Sequence, residues 1–319
     1  MTRLLVTGGL GFIGSNFINY WLKNHHEDFI VNLDKVTYAA NEKNVNRKLL
    51  KDNYQFVKGD ICDQKLVMEI AKEVDLIVNF AAETHVDNSI KDPSLFVMSN
   101  YYGVFNLLEA TKRYNLRFHQ VSTDEVYGSL SLNSHRKFDE NTCYNPKNPY
   151  SATKAAADHL VRAYFNTYGI RATISNCSNN FGPNQHPEKL IPKTIWNALE
   201  NKKIPIYGNG QQVRDWIYVE DHVRALELLL KEGKYGETYL VSTQNEIRNI
   251  DVVKTVLIIL NKSEELIEFV EDRPGHDVKY SLDPQKIMVK LGWKPKYNFS
   301  DAIKTTVLYY SKIKYDVVH

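Results

Sequence analysis

Short apolar runs bounded by turn residues alternate, over the first two-thirds of the chain, with stretches in which apolar side chains return every three to four positions. Residues 3–7, 29–33, 54–58, 76–80 and 116–121 are the short, β-prone runs, and Tyr239-Leu240-Val241 is a later one. After the first run, Phe12, Ile13, Phe17, Ile18 and Trp21 share one helical face. Residues 93 to 113 predict a second helix, carrying Phe96, Val97, Met98, Tyr101, Tyr102, Val104, Phe105, Leu107 and Leu108. Such a helix is apolar on nearly every side and needs burial on two faces. One face covers a sheet, and a second subunit is the economical partner for the other. A third helix begins near Tyr150 and bears Leu160, Val161, Tyr164 and Phe165; pairing both across a two-fold axis predicts a homodimer through a four-helix bundle. Strands alternating with helices predict an α/β fold with a doubly wound parallel sheet of Rossmann type. Beyond residue 175 the pattern loosens. The expected division is residues 1–178 as a dinucleotide-binding domain, to which later segments return, and 179–319 as a smaller carboxyl-terminal substrate domain.

The first strand breaks into Gly8-Gly9-Leu10-Gly11-Phe12-Ile13-Gly14 before the first helix. Strand, glycine turn and helix form the context a G-x-G-x-x-G match requires. Gly9 is expected to make the tight turn, Gly11 to let the backbone approach a pyrophosphate, and Gly14 to let helix and strand pack closely. The pyrophosphate then sits on a helix amino terminus, where unpaired N–H groups and the dipole favour negative charge. Asp34 closes the second strand, about 20 residues past Gly14, where a ribose-binding acid belongs. A carboxylate there repels a 2′-phosphate, so the expected cofactor is NAD rather than NADP. Asp60, after the third strand, either meets the adenine amino group or caps a loop. The small Ala81 and Ala82 after the fourth strand let the chain lie under a cofactor. His85 has no metal partner at a useful spacing and reads as a pocket-lining or structural histidine.

The fifth strand runs into Ser122-Thr123-Asp124-Glu125-Val126-Tyr127-Gly128. Two adjacent carboxylates are costly to bury unpaired, and the carboxyl edge of such a sheet is where ligands bind. Tyr150 and Lys154 stand four apart at the start of a helix and so share a face. A nearby ammonium lowers a tyrosine pKa toward that of a general base.

Composition excludes more than it adds. The chain has 319 residues, 43% hydrophobic and 24% charged, with Lys+Arg 40 against Asp+Glu 38 and a net charge of +2. No basic stripe marks a nucleic-acid surface, and no apolar run approaches a membrane span. Cys62, Cys143 and Cys177 are few and widely separated, which suggests reduced thiols and a cytoplasmic location. The amino terminus lacks the apolar core of a signal peptide. No metal is expected.

With these motifs in place the chain resembles the extended short-chain dehydrogenase/reductases, and within them the dTDP-glucose 4,6-dehydratases. The resemblance rests on residues 7–14, 34–38, 81–87, 122–128 and 150–158, and continues through 176–180, 187–192, 214–216 and 272–277. The Asp124-Glu125 pair separates these enzymes from sister epimerases. The resemblance implies a lyase that oxidises a nucleoside-diphosphate glucose, eliminates water and re-reduces it. Thr123 and Tyr150 would bind the hydroxyl on glucose carbon 4, with Tyr150 as base and Lys154 holding the nicotinamide ribose. Glu125 would take the proton from carbon 5, and Asp124 would donate one to the hydroxyl leaving carbon 6. It further implies a cofactor shell of Gly8, Gly11, Phe12, Ile13, Gly14, Asp34, Lys35, Thr37, Tyr38, Asp60, Ile61, Ala81, Ala82, Ser99, Tyr150, Lys154 and Asn179. The implied nucleotide-sugar site is Thr84, Thr123, Asn179, Lys189, Leu190, Pro205, Tyr207, Arg214, Asn249, Arg273 and His276. The chain departs from the pattern at Ala40, Asn88, Phe181 and Ser242-Thr243. The other readings on this fold are a UDP-glucose 4,6-dehydratase and a nucleotide-sugar epimerase.

Overall fold

A computed structural model describes residues 1–272 and 275–318, with side chains to residue 313. The elements in chain order begin with β1 (Arg3–Thr7), α1 (Phe12–Asn24), β2 (Phe29–Asp34), β3 (Tyr54–Lys58), α2 (Gln64–Ala71) and β4 (Leu76–Asn79). Then come α3 (Val86–Lys91), α4 (Ser94–Phe96), α5 (Gly103–Tyr114), β5 (Arg117–Thr123), α6 (Pro149–Tyr168) and β6 (Arg171–Cys177). The remainder comprises β7 (Asn179–Phe181), α7 (Leu190–Leu199), β8 (Ile204–Tyr207), β9 (Val213–Tyr218), α8 (Val219–Glu232), β10 (Thr238–Val241), β11 (Glu246–Arg248), α9 (Asn249–Ile259), β12 (Ile267–Val270), α10 (Gln285–Leu291) and α11 (Phe299–Val318).

Seven strands form one sheet in the order β10-β6-β5-β4-β1-β2-β3, and every pair in it is parallel. The order reverses at β1, so the crevice at the carboxyl ends of β1 and β4 is the topological switch point, where ligands bind in such sheets. Both faces are covered. Leu5, Ile77, Phe118 and Ile174 pack against α2, α5 and α6, while Leu4, Val6 and Val78 pack against Phe17 and Ile18 of α1 and Val223 and Leu226 of α8. After residue 178 the chain builds a three-stranded sheet, β11-β9-β7, and a parallel pair, β12-β8. Phe181, Ile191, Val252 and Ile303 fill the core between these and their helices. β10 and α8 return to the large sheet.

Three expectations change on contact with the structure. β5 extends to Thr123, whose register partner is Cys177 on β6, so the hydroxyl is held on a strand rather than a loop. The apolar helix from Pro93 is not uniform: α4 and α5 are joined by a π-helical segment, Val97–Tyr102. Its inner side buries Phe96, Val104, Leu107 and Leu108, while Leu95, Val97, Met98, Tyr101 and Tyr102 stand 39–54% exposed. On α6, however, Val161 and Tyr164 lie in the chain's own core with Leu160 and Phe165 against them. Val161 and Tyr164 are engaged by the sheet and α5, while Leu160 and Phe165 are half-buried.

Candidate active site

One cavity of about 320 Å³ spans the switch point, and its wall runs from the glycine turn to the end of β5. The left-handed position in the turn is Gly8, at φ +67, rather than Gly9. A Cβ on Gly8 would lie 2.7 Å from the Ala81 backbone, and one on Gly14 would lie 2.4 Å from the Gly8 carbonyl oxygen. Both glycines therefore allow close backbone approach. A Cβ on Gly11 would meet only the Gly8 carbonyl, at 3.3 Å. Gly11 is also the amino-terminal cap of α1 and brings no side-chain hydrogen bond to it. The first-turn N–H groups there, with Gly11, Phe12 and Ile13 in the cavity wall, suit a pyrophosphate.

The Asp34 carboxylate accepts from the backbone N–H groups of Leu10, at 2.9 Å, and Val36, at 2.8 Å. These bonds fix it at the cavity edge, and each oxygen retains acceptor capacity for a ribose hydroxyl. Burial pushes its pKa up, against those two N–H groups. Asp60 caps its loop and also reaches the cavity wall. It accepts from the Cys62 N–H and lies in the cavity wall, with Lys35 Nζ 2.7 Å away. Thr37, Ile61, Ala81, Ala82 and Ser99 line the same cavity, and Tyr38 lies beyond its lining, edge-on to His186 at 5.5 Å. Cradle, anion-binding helix end and ribose acid together fit a dinucleotide without a 2′-phosphate.

At the other end of the cavity, Thr123 Oγ1 donates to Asp124 Oδ1 at 3.2 Å and accepts from the Glu125 N–H at 3.3 Å. A 3-10 turn, Asp124–Tyr127, follows, closed by Gly128 at φ +82. Asp124 is 2% exposed. Burial first, then the charge of Glu125, hold its pKa well above the carboxylate range, with Arg214 acting the other way. Helix α6 starts at a capping box in which the Asn148 side chain accepts from the Ser151 N–H, and this sets Tyr150 and Lys154 toward the cavity they line. The Lys154 ammonium donates to the Val121 carbonyl at 2.8 Å. The expected fall in the Tyr150 pKa is not found. Burial first, then the charge of Glu125, pushes it well above its ordinary value.

Among the residues implied for the nucleotide sugar, Thr84, Asn179 and Lys189 join this cavity. Lys189 Nζ donates to the Thr84 carbonyl at 3.3 Å. Leu190, Pro205, Tyr207, Arg214, Asn249 and His276 lie beyond its lining. Tyr207 donates to Asp87 at 3.2 Å and sits 6.0 Å edge-on from His276, which pairs with Asp272 at 2.6 Å. Arg214 is not presented as an open fork. Its guanidinium lies 4.4 Å over the Tyr280 ring and donates to the carbonyls of Val213 and Asp277. Arg273 lies outside the described residues. His85 caps α3 by accepting from Asn88 N–H, and its Nε2 lies 3.3 Å from Glu188. Ser242 donates to Asp215, and Thr243 to the Trp216 carbonyl, so these two tie β9 to the loop after β10.

Asn100 has no counterpart in the sequence reading. It is buried in the π-helical segment and bonds both backbone groups of Glu83, at 2.8 and 3.0 Å, and Thr153 Oγ1, at 3.0 Å. One amide thus ties the loop under the cofactor to the helix carrying Tyr150. An asparagine amid apolar helix positions was the available signal.

The sequence matches the family described as GDP-mannose 4,6 dehydratase over residues 5–306. The chain is 46% identical to a dTDP-glucose 4,6-dehydratase of Mycobacterium tuberculosis over 97% of its length and 93% of that protein's. Among solved structures it is similar to the dTDP-glucose 4,6-dehydratase of Bacillus anthracis in complex with NAD, at 43% identity and a TM-score of 0.92, covering 99% of this chain and 98% of that one. It is also similar to DesIV, a dTDP-glucose 4,6-dehydratase from Streptomyces venezuelae solved with NAD bound, at 41% identity and a TM-score of 0.94 over 97% of each chain. The chain belongs to the dTDP-glucose 4,6-dehydratase family of extended short-chain dehydrogenase/reductases.

Proposed function

We infer that this protein catalyses the NAD-dependent dehydration of dTDP-glucose to its 4-keto-6-deoxy product. The observation that carries this reading is the Asp124–Glu125 pair. Asp124 is a buried carboxyl whose surroundings raise its pKa and favour the protonated form, Glu125 stands beside it, and both share one cavity with Tyr150 and the glycine turn. Two carboxyl groups in opposite protonation states are what an elimination needs. NAD, which the glycine turn and Asp34 would hold, would supply the hydride acceptor for carbon 4 of the sugar and the donor for carbon 6.

The chain's own residues handle the protons. Thr123 and Tyr150 hold the hydroxyl on carbon 4, and Tyr150 takes its proton, with the charge of Lys154 opposing that of Glu125. The ketone formed acidifies the proton on carbon 5, which Glu125 removes. Asp124 gives its proton to the hydroxyl on carbon 6, which leaves as water. Glu125 then returns its proton to carbon 5, leaving the ketone on carbon 4, and the proton gained by Tyr150 balances the one Asp124 gave up, so a transfer between them resets the site. Asn179, Lys189, Leu190, Pro205, Tyr207, Asn249 and His276 are proposed to hold the nucleoside diphosphate, with Arg214 at the base of the site near Asp124. The working unit is proposed to be a cytoplasmic homodimer, formed around the exposed Leu95, Val97, Met98, Tyr101 and Tyr102. No helix among the described residues is long and apolar enough to cross a membrane.

The test is the product formed by purified protein from dTDP-glucose and, separately, UDP-glucose. The 4-keto-6-deoxy sugar should form preferentially from dTDP-glucose. A 4-epimer as the product, or equal turnover of both nucleotides, overturns the reading in reaction or in base.

A further inference from the structure

Behind Lys154, on the side away from the cavity, lies a buried acid that the reaction above does not use. Asp158 is 0% exposed and sits one helical turn beyond Lys154 on α6. Its Oδ2 accepts from Ser122 Oγ at 2.7 Å, Tyr144 OH at 2.9 Å and Asn176 Nδ2 at 3.1 Å. A turn further on, Arg162 donates to the Tyr144 hydroxyl at 2.7 Å, which polarises that hydroxyl toward Asp158. The Asn176 NH2 group can only donate, and the Arg162 donor turns the Tyr144 hydroxyl toward Oδ2, so Oδ2 is held as an acceptor, which favours the carboxylate. Lys154, Asp158 and Arg162 thus make a plus-minus-plus ladder along one face of α6. Ser122, which binds Asp158, directly follows Val121, whose carbonyl holds the Lys154 ammonium.

We propose that Asp158 is a positioning residue for this dehydration, its fixed buried charge keeping Lys154 protonated and seated on the Val121 carbonyl. The proposal rests on the reading of Lys154 given above. A lysine taken wholly out of water loses its proton readily. Burial does push the Lys154 pKa down, and the charge of Asp158 is the first influence opposing it, followed by Cys177. Burial in turn pushes Asp158 up, with Lys154 leading the groups that oppose it. The titratable and charged groups that face the two are Tyr150 and Arg162 on α6, Tyr127 after β5, Tyr144 on the loop before α6, and Cys177 on β6. Arg162 is the one other cation in that set, and it faces Asp158 rather than Lys154.

The experiment compares wild type, Asp158→Asn, Tyr144→Phe and Lys154→Met as NAD-loaded protein, with lysine labelled by ¹³C at Cε. The NMR titration reads the Lys154 ammonium directly, its resonance assigned by its loss in Lys154→Met. Asp158→Asn should lower the Lys154 pKa by about one to two units, and Tyr144→Phe should lower it by less. In parallel, the rate of NADH formation is followed across pH in a Glu125→Gln background, where the reaction stops after the first hydride transfer. Its alkaline limb should move down with the NMR value, while the rate at the optimum changes less. A merely structural role lowers the rate equally at every pH and leaves the lysine titration in place, and that result overturns the proposal. If Asp158→Asn fails to fold, Tyr144→Phe decides by the same two readouts. Undiminished hydride transfer in Lys154→Met overturns the reading of Lys154 itself, a separate outcome from an unmoved titration.

Discussion

Asp124 and Glu125 are neighbours in sequence with unlike surroundings. Asp124 is buried, and burial first, then the charge of Glu125, raises its pKa and favours the protonated form, with Arg214 opposing. Activity that needs this proton is lost as pH rises through the folded pKa. Loss of the Glu125 charge on the acid side gives the other limb, so the rate should fall on both sides of neutrality; a flat alkaline side would contradict the donor role. Glu125→Gln should reduce dehydration by about 10²–10⁴-fold and leave NAD retention intact, measured by cofactor fluorescence after gel filtration. Asp34→Ala should do the reverse and release NAD first, because Asp34 touches no catalytic group and lies at the ribose end of the cavity. Residue type and spacing marked Asp34 and the Asp124–Glu125 pair as candidates, and the roles proposed for the pair came with the resemblance. The Tyr150 pKa could not be read that way, since it depends on burial and on which charges the fold points at the phenol.

Elements carry the next level of the argument. The strand and helix pattern was legible because a parallel sheet covered on both faces produces unbroken apolar strands. β1, β2, β3 and β4 begin where the apolar runs begin. What the pattern hid is the side-chain use of buried polar positions. Asn100 looks like an interruption in an apolar helix, yet it clamps Glu83 and Thr153 across two elements. The left-handed Gly8 and the ties made by Ser242 and Thr243 were equally invisible, because they depend on strands that meet only in three dimensions. Asn100→Ala removes three hydrogen bonds from a buried site and leaves Glu83 backbone groups unsatisfied. A loss of about 1–3 kcal/mol in urea unfolding is expected, together with weaker NAD retention. Unchanged values for both would show that the clamp does not position the loop.

For the whole molecule, the exposed strip from Leu95 to Tyr102 predicts association. Sedimentation equilibrium should show a dimer at micromolar concentration, and Met98→Glu with Tyr101→Glu should shift it toward monomer; a stable wild-type monomer removes the proposal. Two core histidines predict acid lability. Burial depresses His119 and His222 to about 3, below the value of about 6.5 in an unfolded chain. Between those values the unfolded state binds the extra protons, so stability falls as pH drops through that window, by about 1.4 kcal/mol per pH unit for each histidine. His119→Gln should flatten that slope in urea titrations at pH 7 and below, and an unchanged slope would show that His119 does not contribute. One cavity is proposed to move a hydride out of the sugar and back into it within a single turnover. Substrate deuterated on carbon 4, turned over with unlabelled NAD, should give product carrying the label on carbon 6 of the same molecule, located by NMR and mass spectrometry. Deuterium found back on carbon 4, or lost into free NADH, would contradict the account.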